Sequence, residues 1–403
     1  MVSAKLGLTP DAFVPGMTDA LAAKMLQLTK DEARCQPSAQ NCANFVWALA
    51  PLGHYPKDKG LVDAVCGHFA RLIKHRDQSK RPKAQEAANV VWALATLGHE
   101  PADKGLIDDV CNHFARLIKH LEESKRPNAQ QSANIVWALA TLGHKPADKG
   151  LVDAVCNHFS RLIRHQDTRN RPTSQGVSNV LWARGDMNHA PPDGAASAFL
   201  EWLTRLCKLS GQEPNAQDLS NTLFACAVLH VKVKGHVSLA LVRGLLRLDR
   251  SGGYKQEYCN AAWGLAVLGI LAVDIFSLIL ERLRSLPVSE PAHDALPRQE
   301  LSQLYQALDS LQPLPDVAAQ QLQEMLSSLG QRPLHGPQSH ADSSINRRLG
   351  LALGQLGLAF ALDVLLSGYW VNAVLQPCNG VTEPIVLAAE FGHCFRNKDD
   401  RCV

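Results

Sequence analysis

The chain has 403 residues, with 41 Lys and Arg against 38 Asp and Glu and a formal net charge of +3, so as a whole it is only mildly basic. Its longest uncharged apolar run, 349–362, has fourteen residues and is too short to span a bilayer, which argues against a membrane protein. Eleven cysteines, an odd number scattered through apolar helical patterns behind no secretory signal, read as reduced core thiols of an intracellular protein.

Residues 1–35 read as a helical lead-in, and residues 1–30, with two aspartates and little Arg or Ser, make a poor transit peptide. The chain then repeats itself. NCANFVWALAPLGH at 41–54 returns as EAANVVWALATLGH at 86–99 and QSANIVWALATLGH at 131–144, a period of 45. Trp47, Trp92, Trp137 and Trp182 mark the beat, with Asn44, Asn89, Asn134 and Asn179 three residues before them and Gln40, Gln85, Gln130 and Gln175 four before those. The pattern loosens through Gln217, Asn221 and Phe224, then Gln256, Asn260 and Trp263, then Gln299, Gln303 and Gln306, giving seven units over 36–330. A fixed period of this size marks a stacked array.

Residues 127–171 show what one unit contains. Pro127 opens a helix at its first position, Ile135, Val136 and Leu139 recur at helical spacing, and Gly143 and Pro146 stop it. A second helix follows, with Leu151, Val155, Phe159, Leu162 and Ile163 on one stripe. Two helices cannot bury their apolar faces alone, so the expected fold is mainly α, a right-handed-type α-solenoid of helical hairpins. Gln130, Asn134, Trp137 and Thr141 share the other face of the first helix. The simplest expectation is that the glutamine and asparagine bond the neighbouring unit and the tryptophan fills the seam. The alternative is a uniform track for a uniform ligand, such as a sugar-phosphate chain with stacked bases.

The repeats AN-x-VWALATLGH, together with NAQDLSNTLFACAVLH at 215–230, resemble the octotricopeptide repeat family over about 290 residues. That resemblance implies helical hairpins that bind specific transcripts in a chloroplast or mitochondrion, for stability, processing or translation, alongside organellar RNA-processing or ribosomal proteins. After a linker at 331–342, residues 343–403 are similar to a RAP domain: a capped helix over 343–358, then strand-like runs in 367–376 and 384–397. The family usually has an aspartate where Asn372 stands, the stretch after Glu390 is short, and the module reads as a small, incomplete α/β one. A metal-dependent nuclease needs converging carboxylates and a base. Glu390 stands without its partner and Lys398 lies in a polar tail, so no catalysis and no cofactor is expected.

Cys66-x-His68, Cys111-x-His113 and Cys156-x-His158 have the look of metal ligands. Each pair supplies only two ligands, and successive pairs lie a helix-packing distance of about 9 Å apart, too far to share an ion. The basic residues of the second helix and its connector also recur: Arg71, Lys74, Lys80 and Arg81; Arg116, Lys119, Lys125 and Arg126; Arg161, Arg164, Arg169 and Arg171. Stacked, they form a stripe suited to a phosphate chain, or else a solvated outer face. Base-reading candidates are positions that vary between units yet stay polar at the opening turn of the first helix. Two before the glutamine lie Ser38, Lys83, Asn128, Thr173, Asn215 and Tyr254; one after it lie Asn41, Glu86, Gln131, Gly176, Asp218, Glu257 and Glu300. The expected partner is therefore single-stranded RNA, about one nucleotide per unit. A protein-binding scaffold and a nuclease acting through the tail are the rivals.

Overall fold

The computed structural model describes residues 17–30, 36–52, 60–144, 150–165, 170–247, 255–285, 298–311, 314–330, 360–366, 369–375 and 385–387. The chain is mainly helical. Among the described residues, helix α1 (Met17–Lys30) precedes seven hairpins, each an A helix followed by a B helix. They are α2 and α3 (Ala39–Leu52, Gly60–Ile73), α4 and α5 (Ala84–Leu97, Leu106–Ile118), α6 and α7 (Ala129–Thr141, Gly150–Ile163), and α8 and α9 (Ser174–Asp186, Ala195–Leu206). Then come α10 and α11 (Ala216–Val228, Gly235–Arg247), α12 and α13 (Lys255–Val267, Val273–Arg284), and α14 and α15 (Arg298–Asp309, Asp316–Gly330). We number these hairpins repeats 1 to 7.

The chain divides into two compact bodies, Met1–Leu248 and Asp249–Val403. In the first, each A helix packs on the next A helix and each B helix on the next B helix, with the A helices closer together. A stack that is tighter on one side curves toward it, so within this body the A helices line the inner side. Small residues permit the approach: a Cβ built on Gly185 of α8 would lie 3.4 Å from the Ala225 Cα of α10. The apolar stripes form the core, with Ile135, Val136 and Leu139 of α6 and Val155 and Phe159 of α7 fully buried.

The A helices end where the sequence expects. Gly98 and Gly143 adopt φ of 61° and 63°, which a side chain would resist, and the next amides, of His99 and His144, donate back to the Leu94 and Leu139 carbonyls at 3.0 and 2.9 Å. The starts differ from expectation. Pro127 is not the first helical residue; Asn128 caps the helix and α6 begins at Ala129. The proline instead offers its carbonyl to His158, whose Nε2 donates to it at 2.7 Å. His68 and His113 do the same to Pro37 and Pro82, at 2.8 and 2.7 Å. In repeat 4 the indole Nε1 of Trp202 takes the role, donating to the Pro172 carbonyl at 2.8 Å. These histidines are thus buried staples between one hairpin and the proline that opens it. The neighbouring Cys66, Cys111 and Cys156 are buried free thiols, and burial pushes the first two up to about 12.

Burial holds the pKa values of His68, His113 and His158 below the ordinary 6.5, although the bond to the proline carbonyl opposes the shift. A base depressed in the folded state contributes its full stability above the unfolded value and loses it as pH falls below 6.5 and through the folded value. Thermal melting of the full chain is therefore expected to drop between about pH 7.5 and 5.5, with the drop shrinking in His158→Gln, whose amide can still donate. An identical pH slope in that variant would show that the buried ring is not an acid-sensitive group.

A second ladder ties the B helices α3, α5 and α7 each to the turn of the next repeat. His99 meets Asp63 at 3.1 Å, His144 meets Asp108 at 3.0 Å and His189 meets Asp153 at 2.9 Å. At Asp153 the ladder gains Arg184, a fully buried arginine in the place of Leu49, Leu94 and Leu139. Its Nη2 donates to Asp153 at 3.0 Å and also to the Ala190 carbonyl, its Nε to the His189 carbonyl at 3.0 Å, and its Nη1 to Cys156 Sγ at 3.1 Å.

In the second body, β1 (Phe360–Leu366), β2 (Tyr369–Leu375) and β3 (Ile385–Leu387) form an antiparallel sheet in the order β1-β2-β3. β2 and β3 fall within the strand-like runs read from the sequence, whereas β1 lies in a stretch for which no strand was expected. Asn372 lies in β2; the helix expected over 343–358, the linker at 331–342, Glu390 and Lys398 lie outside the described residues.

Candidate nucleic-acid interface

On each A helix the glutamine, asparagine and aromatic stand at i, i+4 and i+7, one face of the helix turned away from the core. The six glutamines Gln40, Gln85, Gln130, Gln175, Gln217 and Gln256 are all exposed. Asn44, Asn89, Asn134, Asn179 and Asn221 are half-buried, as are Trp47, Trp92, Trp137 and Trp182. Among the described residues, the side chains of those glutamines and of those five asparagines make no hydrogen bond. The expectation that they bond the neighbouring repeat is therefore corrected for repeats 1 to 5. The tryptophans do touch along the stack, Trp47 and Trp92 having ring centroids 6.5 Å apart at 31°, but they keep an open side. The tighter packing of the A helices sets this row of amides and indoles on the inner side of the first body.

The base-reading candidates have a structural role that the sequence reading missed. They are the N-cap and N3 residues of the A helices. Asn128 Oδ1 accepts from the Gln131 amide at 2.9 Å while Gln131 Oε1 accepts from the Asn128 amide at 3.0 Å. Asn215 and Asp218 form the same reciprocal box at 2.8 and 3.3 Å, and Ser38 and Asn41 at 3.2 and 3.0 Å. Thr173 Oγ1 accepts from the Gly176 amide at 3.2 Å. Lys83 has no acceptor to offer, so in repeat 2 only half the box exists, Glu86 accepting from the Lys83 amide at 2.8 Å. Polarity at Ser38, Asn128, Thr173 and Asn215 thus serves capping as well. Asp218 is the most committed of them: it is buried, takes a 2.7 Å bond from Ser174 of the preceding A helix, and is held above the usual carboxylate range by burial. Glu257 and Glu300 lie in the first turns of α12 and α14, and Tyr254 lies outside the described residues.

The cations also divide. Arg81, Arg126 and Arg171 are clamps rather than free charges: the Nε of each donates six residues back, to the carbonyls of His75, His120 and His165, at 2.7, 2.7 and 3.0 Å. Arg171 also lies over the Trp202 ring, 5.5 Å from its centroid. Lys74 is paired with Asp109 of the next repeat at 2.6 Å and Lys125 with Glu122 at 2.8 Å. Arg71 and Arg161 are exposed but lean on His68 and His158 at 3.2 and 3.1 Å. Lys80, Arg116, Lys119 and Arg164 are exposed and have no ion-pair partner among the described residues. Arg169 lies outside the described residues.

Two clefts between successive repeats bring these groups together. The first, about 550 Å³, is lined by Ser38, Gln40, Lys80, Arg81, Lys83 and Glu86 among others. The second, about 710 Å³, includes Lys83, Gln85, Arg116, Lys125, Arg126 and Gln131, and no aspartate or glutamate is among its described lining residues. Each cleft therefore joins a connector rich in cations to the first exposed glutamine of an A helix. An array of unpartnered amides beside half-open indoles, entered past guanidinium and ammonium groups, can hold a chain of planar rings linked by anions.

A scan against protein-family models finds no match to the chain, and a search of curated proteins finds none either.

Proposed function

We propose that the chain binds single-stranded RNA sequence-specifically along its A-helix face, as an organellar protein supporting transcript stability, processing or translation. The organelle follows from the resemblance to octotricopeptide repeats. The supporting observation is the row of exposed glutamines, unbonded asparagines and half-open tryptophans that repeats from hairpin to hairpin beside the cationic clefts. A row that is the same in every repeat grips without discriminating. Discrimination then falls to the residues that differ: Ser38, Lys83 and Glu86 at the first cleft and Lys83 and Gln131 at the second.

The free cations provide the test. Arg116→Glu, Lys119→Glu and Arg164→Glu together are expected to weaken RNA binding at least about tenfold and to flatten its dependence on log salt by about 2, at roughly 0.7 per lost phosphate contact. Fluorescence anisotropy at several salt concentrations measures both. An unchanged affinity and slope would remove these residues from the interface.

A further inference from the structure

The cleft between repeats 2 and 3, which lies wholly in the first body, departs from the repeat pattern at two of its residues. In repeats 1 and 3 the Nη2 of Arg71 and Arg161 lies 3.2 and 3.1 Å from the Nδ1 of His68 and His158. In repeat 2 the corresponding pair is undocked. The buried His113 keeps its bond to Pro82, but its Nδ1 has no partner among the described residues. Arg116 is exposed and stands with His113 in the lining of the cleft. The second departure is Lys83. The same position holds Ser38, Asn128, Thr173 and Asn215 in repeats 1, 3, 4 and 5, each of which caps its helix with a side-chain oxygen. Lysine gives up that bond and brings an ammonium group to the cleft. Two local rules broken at one place are the mark of a functional site.

Arg81 and Arg126 line the same cleft. Their Nε bonds go to backbone carbonyls, which fix the guanidinium groups in place without neutralising them. The preceding cleft differs: Glu86 lines it where Gln131 lines this one, and neither His68 nor Arg71 is among its described lining residues. We infer that the cleft between repeats 2 and 3 is a seat for a phosphate monoester, held by Arg81, Lys83, Arg116 and Arg126. A phosphodiester inside a strand carries one negative charge. A phosphate monoester carries about −1.5 to −2 at pH 7 and three acceptor oxygens. Four cations, with no carboxylate among the described lining residues, match the second better than the first, and guanidinium forks bind such oxygens in pairs. A cavity of about 710 Å³ also has room for the sugar and base behind the phosphate. Resting on the RNA reading above, the monoester is the phosphorylated end of a strand, and the cleft sets where that end lies along the A-helix face. A free nucleoside monophosphate presents the same chemistry.

The two sources separate when the full chain is titrated with short randomised RNA bearing a 5′ phosphate, a 3′ phosphate or hydroxyls at both ends, and apart from these with adenosine monophosphate. One of the phosphorylated forms is expected to bind about tenfold more tightly than the hydroxyl-ended form. Arg116→Gln should bring that ratio to within about twofold of unity, whatever it does to both affinities, whereas Arg71→Gln, at the docked counterpart, should preserve it. Gln131→Glu is the second variant. Glu86 shows that a glutamate at this position still accepts from the N-cap amide, so the helix starts as before, yet the added carboxylate should erase the ratio too. Equal binding of the three forms of RNA, or a ratio that survives both Arg116→Gln and Gln131→Glu, would overturn the phosphate seat while leaving the RNA reading intact. Binding of adenosine monophosphate that is lost in Arg116→Gln, with no binding of any RNA, would keep the seat and overturn the RNA reading. Binding of neither would overturn both.

Discussion

Trp92→Ala and Trp137→Ala together are expected to weaken binding of single-stranded RNA by about 100-fold, since stacking of a base on an aromatic ring contributes roughly 1–3 kcal/mol per base. The two rings lie on consecutive A helices, each with one open side, and neither indole nitrogen has a hydrogen-bond partner among the described residues. The loss should appear at every salt concentration with an unchanged salt slope, because no charge is removed. That separates it from the effect of reversing Arg116, Lys119 and Arg164, which acts mainly through the slope. Leu121→Ala is the control: this side chain is 92% exposed on a connector, and its removal should leave binding unaltered. Equal binding by the tryptophan variant and the wild type, with both folded by circular dichroism, would show that the indoles are seam packing and nothing more.

Arg184→Ala is expected to destabilise the first body by about 3 kcal/mol, a drop in melting temperature of roughly 6–12 °C for a body of this size. The guanidinium is completely buried, and its removal leaves a void lined by the His189 and Ala190 carbonyls and by Asp153. Asp153 is 42% exposed and keeps His189, which holds the loss at the low end for a broken buried pair. Arg184→Leu should differ. Repeats 2 and 3 carry Leu94 and Leu139 at this position and close the same His–Asp rung without an arginine. Replacing a buried ion by a well-packed apolar side chain is often neutral or stabilising, so this variant should melt within a few degrees of the wild type. A leucine variant as unstable as the alanine one would mean that the arginine's hydrogen bonds, not its volume, hold the turn.

The helical array was legible in the sequence because it is written in local patterns. Apolar spacing and the glycines after α4, α6 and α12 act within one hairpin, and the period of 45 repeats them along the chain. The two faces of α6 were legible for the same reason, with Ile135, Val136 and Leu139 buried opposite Gln130 and Trp137. The capping boxes were equally local, yet the sequence reading gave these positions only as candidate base readers. Capping accepts any short polar acceptor at N-cap and N3, so Ser38, Asn128 and Thr173 differ from one another while remaining polar, and a code would look the same. Bonds between residues far apart in the chain were not legible. His158 and Pro127 are 31 residues apart within one repeat, and Asp108 and His144 are 36 apart across two; which partner each meets depends on how the two helices of a hairpin pair and how the hairpins stack. Arg81, Arg126 and Arg171 recur with the other basic residues, and only the fold of the connector turns them back onto carbonyls. Arg184 reads in sequence as a break in an apolar stripe, since the acceptors that make its burial tolerable come from two other segments, the helix holding Asp153 and Cys156 and the turn at His189 and Ala190.

The claim that the A-helix face is the RNA track is tested most directly by ultraviolet crosslinking of the full chain to single-stranded RNA, with crosslinked peptides located by mass spectrometry. Crosslinks are predicted on α2, α4, α6 and α8, centred on Trp47, Trp92, Trp137 and Trp182, with none on the mid-portions of α3, α5 and α7. Crosslinks confined to the B helices, or to the segment after Gly330, would contradict it.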